Sequence, residues 1–206
     1  MKSLFCLLAA GLIVVAPVSL SAKVVRQIER TFPVSAVGRL TAQTQGGDIR
    51  ITTADAAEVR VTARQTFRAG SEQEADEIAA NLQMKLEQQG NDITAEARYE
   101  KKGWFSNTPV TVDFTITVPR EFNVDLRTSG GDIAVGSLKG AVKARTSGGA
   151  LEFARIDGDL DGQTSGGDIR LEEGTANAKL HTSGGDISVA RAGGRTHVST
   201  SGGDNV

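Results

Sequence analysis

From Thr128 onward, apolar and polar residues alternate in short runs, and the runs recur every 18 residues without insertion. The hexapeptide TSGGDI stands at Thr128–Ile133, Thr164–Ile169 and Thr182–Ile187, with TSGGAL at Thr146–Leu151 and TSGGDN at Thr200–Asn205. Aligning the threonines gives apolar columns: Ile133, Leu151, Ile169, Ile187, and then Val135, Phe153, Leu171, Val189. Two more run Val142, Leu160, Ala178, Thr196 and Ala144, Gly162, Leu180, Val198. Polar columns lie between them, among them Lys143, Asp161, Lys179, His197. Alternation at a spacing of two marks strands with one buried face. Each repeat therefore carries two short strands, one after the Gly pair and one leading into the next Thr.

A fixed short period is the mark of stacked structural units. The expected fold is mainly β: a β-solenoid of 18-residue coils, two strands per coil. Glycines at the Ser-Gly-Gly corner, and at Gly140, Gly158 and Gly194, are expected to supply positive φ at two tight turns per coil. The Thr hydroxyls are placed to bond between coils.

Upstream the pattern loosens. LTAQTQGGDIRI (Leu40–Ile51) and FNVDLRT (Phe122–Thr128) fall in register with the repeats, and Glu58–Gln65 alternates. Ser71 with Glu74 three residues later is a capping-box pair. Ala75, Ile78, Ala79, Leu82 and Leu86 then share one helical face, which predicts one inserted helix over Ser71–Leu86. Asn91–Tyr99 and Val110–Val118 read as strands joined by a hairpin turn at Lys101–Pro109. The helix is expected to cover one end of the stack, where bare strand edges invite association.

Composition adds compartment. Lys2 followed by the apolar run Leu4–Leu20 and the small residues Ser21-Ala22 reads as an export signal, with the mature chain starting at Lys23. The expected organisation is thus a signal over residues 1–22, irregular opening coils over 23–127, and regular repeats over 128–206. No later apolar run is long enough to span a membrane as a helix. The one cysteine, Cys6, falls in the leader, which leaves the mature chain without disulfides or thiolate ligands. The formal net charge is −2, and loss of Lys2 makes it more negative, so nucleic acid is not an expected partner.

The leader, the acidic helix and the junction VPREFNVDLRTSGGD (Val118–Asp132) leading into TSGGDI repeats together resemble a known family. It is the "putative adhesin" family of bacterial envelope proteins, a domain of unknown function, and the resemblance runs from Lys23 to the C-terminus. It implies a β-solenoid and a non-catalytic, adhesin-like interaction role at the envelope, with no cofactor and no catalytic residues to carry over.

Asp132, Asp168 and Asp186 recur at one corner and form the candidate calcium site; the competing expectation is that each carboxylate bonds the amides of its own turn. His181 and His197 face outward without a third ligand. Asp157, Asp159 and Asp161 offer a carboxylate pair but sit on an ungated turn. No catalytic motif is present, so no enzyme is expected; the alternatives are a metal-dependent or polysaccharide-processing envelope enzyme, or an envelope-stress sensor acting through a partner. Trp104 and Phe105 are a candidate partner anchor. Lys143, Arg145 and Lys179, with Arg127 and His181, form a basic strip suited to an anionic glycan or lipid surface, or an envelope protein.

Overall fold

The alternation becomes pairing in the computed structural model, which describes residues 23–100 and 108–205. The export signal and the Trp104–Phe105 anchor lie outside the described residues. The opening part forms β1 (Lys23–Pro33), β2 (Arg39–Gln43), β3 (Ile49–Ala54), β4 (Glu58–Arg68), α1 (Glu72–Ala79), β5 (Leu82–Gln89), β6 (Asp92–Tyr99) and β7 (Val110–Pro119). The repeats begin with β8 (Asn123–Arg127), β9 (Ile133–Val135), β10 (Leu138–Lys139), β11 (Val142–Arg145) and β12 (Leu151–Asp157). They continue with β13 (Leu160–Gln163), β14 (Ile169–Gly174), β15 (Ala178–His181), β16 (Ile187–Val189) and β17 (Thr196–Ser199).

Two mixed, open sheets result. One runs β1-β4-β7-β3-β9-β12-β14-β16 and the other β17-β15-β13-β11-β8-β2-β6-β5. In the repeats every pairing is parallel and offset by one period: Leu151 with Ile169 and Ile169 with Ile187 in the first sheet, Val142 with Leu160 and Leu160 with Ala178 in the second. Each repeat thus gives one strand to each sheet, and the apolar columns meet in a single core. Phe153, Leu151, Leu171, Leu126 and Leu180 are among its buried members. A third, narrow row pairs Leu138 with Ile156 and Gly174 with Ala192, a short extra side that two strands per repeat did not include.

The expected registers upstream are present, but their order in space is not their order in sequence. Leu40 pairs with Val124 and Ile49 with Ile133, as the alignment required. The β6–β7 turn stacks on the other side of β2–β3, pairing Leu40 with Ile93 and Ile49 with Phe114. β6 and β7 consequently lie in opposite sheets and do not pair with each other as the expected hairpin would; residues 101–107 between them lie outside the described residues. β4 is also not a stacked coil: it runs antiparallel to β7 and to β1, and β1 and β5 are the edge strands at this end.

The helix is half as long as its periodicity suggested. Ser71 is the N-cap, its Oγ accepting from the Glu74 amide at 3.2 Å, while the Glu74 carboxylate takes the Gly70 N–H at 2.7 Å. The helix stops at Ala79, and Leu82, Met84 and Leu86 instead alternate on strand β5, opposite Tyr99, Ala97 and Ala95. Residues 82 and 86 fit a period of four and a period of two equally well, and pairing with β6 decides for the strand. Arg26 of β1 fastens the helix, reaching Glu72 at 2.8 Å and Asp76 at 2.7 Å with its guanidinium over the Phe67 ring.

The TSGG corner has a different cause from the one expected. No glycine in it has positive φ; among the described residues only Gly90 and Gly140 do. The second Gly of each corner is required by close stacking, since a Cβ at Gly131, Gly149, Gly167 or Gly185 would run into the carbonyl of the corner beneath. The Thr is buried and joins two turns: Thr164 Oγ1 donates to the Gly149 carbonyl at 2.8 Å and accepts the Gly167 amide at 3.3 Å. Thr146 and Thr182 repeat the arrangement. Thr164→Val keeps the shape but strands both backbone groups, and should cost about 1–3 kcal/mol in denaturant unfolding. Ser165→Ala, on the exposed neighbour, should change nothing measurable.

Candidate functional site

The Asp corner is built for stacking. Asp48 Oδ1 accepts the Asp132 amide at 2.9 Å, Asp132 Oδ1 the Ala150 amide at 2.8 Å, Asp168 Oδ1 the Asp186 amide at 2.9 Å, and Asp186 Oδ1 the Asp204 amide at 2.8 Å. The carboxylates cap the next turn's backbone, not their own turn as expected. Ala150 interrupts the series because it has no carboxylate to offer Asp168. Among the described residues no three His, Cys, Asp or Glu side chains converge as a metal site would need.

The aspartates of the neighbouring corner are held apart by separate partners. Asp157 on β12 is flanked by Arg155, and the Thr175 hydroxyl together with that guanidinium holds its carboxyl below the usual carboxylate range. Arg155 in turn reaches Glu173 at 2.6 Å. Asp159 accepts from Asn177 Nδ2 at 3.2 Å, and Asp161 on β13 meets Arg145 at 3.3 Å.

An extended concavity with mixed chemistry runs across the outer face of the second sheet, with a volume of about 650 Å³. Its geometry follows from the 18-residue register. The inward column Val124, Val142, Leu160, Ala178 turns its side chains to the core, so backbone forms the groove floor. One wall is the column Arg39, Asn123, Ala141, Asp159, Asn177, Arg195; the other is Asp125, Lys143, Asp161, Lys179, His197. Strands are spaced ~4.8 Å apart, so six of them make a channel about 24 Å long.

Of the basic strip, Lys143 and Lys179 line this groove, while Arg127, Arg145 and His181 occupy the next outward column. Its two arginines are tied to the groove column: Arg127 bonds Asp125 at 3.1 Å and Arg145 bonds Asp161 at 3.3 Å. Among the described residues, Arg39, Lys143, Lys179 and Arg195 have no carboxylate within 4.0 Å, so the groove carries four unpaired cationic side chains. The wall from Arg39 to Arg195 was not singled out in the sequence. It was legible there, because it is the column one residue before the Val-Val-Leu-Ala column of the same alignment.

No helix among the described residues is long and apolar enough to cross a membrane. No family model matches the chain, and no curated protein matches it. Solved structures with a similar outline include a "putative cell adhesion protein" from Clostridium sporogenes, with TM-score 0.44 and 10% identity over 87% of this chain and 98% of that one. A "putative adhesin" from Bacteroides fragilis has TM-score 0.38 and 16% identity over 88% and 97%. A "putative lipid binding protein" from Parabacteroides distasonis has TM-score 0.28 and 15% identity over 87% and 96%.

Proposed function

We propose that this chain is an exported, non-catalytic β-solenoid that acts as an adhesin-like interaction module at the bacterial cell envelope. The observation that carries the reading is the in-register stacking of the repeats, which presents polar, ordered side-chain columns on an open sheet face with no inserted loops in the repeats to wall off a reaction centre. A rigid array of this kind recognises a surface or a polymer through many weak, regularly spaced contacts. The carboxylates that an acid–base mechanism would need are bound by Arg145, Arg155 and Asn177 instead of facing one another. The leader ending at Ala22 supplies export, and the Val118–Asp132 junction is the sequence basis for the family resemblance.

Cosedimentation of the purified protein with washed envelopes of its own host tests this. Saturable binding, with envelope polymers unchanged in chain length after prolonged incubation, is the expected result. Failure to bind the envelope, or progressive shortening of its glycans, would overturn the reading.

A further inference from the structure

The charges in the second-sheet groove are ordered, and the order specifies a ligand. Taken strand by strand along the channel, β2 offers Arg39, β8 offers Asp125, β11 offers Lys143, β13 offers Asp159 with Asp161, and β15 offers Lys179. From β2 to β15 cationic and anionic rungs alternate, and β17 closes the series with Arg195 and His197 beside Lys179. Arg39 on one wall and Lys143 and Lys179 on the other fall on every second strand, an axial repeat of ~9.6 Å. The carboxylate rungs between them are turned into hydrogen-bond acceptors: Asp125 and Asp161 are paired with Arg127 and Arg145, and Asp159 is held by Asn177.

We propose that this groove binds an acidic glycan lying along the stacking axis, whose carboxylates recur once per disaccharide. Each uronate sits at a cationic rung, and the hydroxyls of the intervening neutral sugar donate to the aspartate rung. The rung repeat is about the length of a disaccharide, so successive units meet the same chemistry. The proposal rests on the interaction-module reading above and names its ligand class.

Other polymers fit less well. Nucleic acid carries a phosphate about every 3.4 Å per strand, which would press charge onto the aspartate rungs. A peptide joining as an extra strand needs an open sheet edge, whereas the floor here is strand interior whose backbone groups are already paired along the ladder. A planar lipid surface cannot follow a channel walled on both sides. With no Trp, Tyr or Phe lining the groove, binding relies on charge-assisted hydrogen bonds and weakens as salt is added.

The test is calorimetric titration of the purified protein with a polymer of alternating glucuronate and N-acetylglucosamine. A neutral N-acetylglucosamine oligomer, polyphosphate and polyglutamate serve as comparisons. The expected result is saturable, salt-sensitive binding of the alternating polymer above all three. In the Lys143→Gln/Lys179→Gln variant it falls by about tenfold or more, with the melting temperature unchanged. Arg50→Gln/Arg170→Gln, on the other sheet, should bind as the parent does. Equal or tighter binding of polyphosphate or polyglutamate, indifference to the Lys143/Lys179 pair, or no binding of the alternating polymer would each overturn the proposal. If the protein then still sediments with envelopes, only the groove assignment fails; if it does not, the interaction-module reading fails with it.

Discussion

Gly149→Ala is expected to destabilise the protein by about 3 kcal/mol or more, while Gly148→Ala, one residue away, should leave stability unchanged or raise it by up to about 1 kcal/mol. Neither glycine has positive φ, so conformational freedom does not separate them. Space does. A Cβ at Gly149 would penetrate the carbonyl group of Gly131 in the corner beneath, and backbone held by ladders on both sides has nowhere to move. At Gly148 the nearest atoms are 3.8 Å away, ordinary van der Waals contact, and alanine there only reduces the freedom of the unfolded chain. Thermal unfolding followed by far-ultraviolet circular dichroism checks the pair. Equal effects at the two positions would show that the corners do not stack as tightly as described. The same contrast should hold at Gly167 against Gly166 and at Gly185 against Gly184, because each corner repeats the approach.

That contrast also marks what the sequence could and could not say. The alternation and the 18-residue period gave two strands per repeat and their register, down to Leu40 over Val124, but not β1, β5 or the row of β10. They gave strands and register because period and burial are properties of single residues and their spacing. The reason for the glycines was hidden, since close approach between turns is a relation among residues 18 apart that a turn-based reading assigns to φ. The end of the helix was hidden for another reason: Leu82 and Leu86 satisfy two periods, and only the partner strand β6 chooses. Placement of β6–β7 outside β2–β3 could not be read at all, because registers are shared by every turn and do not encode their order. For the groove, the charged columns were visible, but the sequence does not show that Asp125 and Asp161 are paired. Their capture by Arg127 and Arg145 is a side-chain contact, and it makes the alternation a pattern.

The core offers the second large effect. Phe153→Ala should cost about 3–5 kcal/mol, the price of an emptied site in a packed interior. Phe153 is fully buried in a column otherwise filled by Val135 and Leu171, so its ring needs extra room, and that room is Gly162 on the facing sheet. A methyl at Gly162 would lie 3.2 Å from the Phe153 ring and 3.0 Å from Leu180, closer than side-chain carbons settle. Gly162→Ala alone should therefore destabilise, by about 1–3 kcal/mol through overpacking. In the double variant the new methyl enters space the ring has left, and the combined loss should be smaller than the sum of the single losses by about 1 kcal/mol or more. Denaturant unfolding of the four proteins measures this coupling. Additivity would mean that the two columns do not interlock, and that the irregular Gly in an otherwise apolar column has some cause other than the aromatic ring across the core.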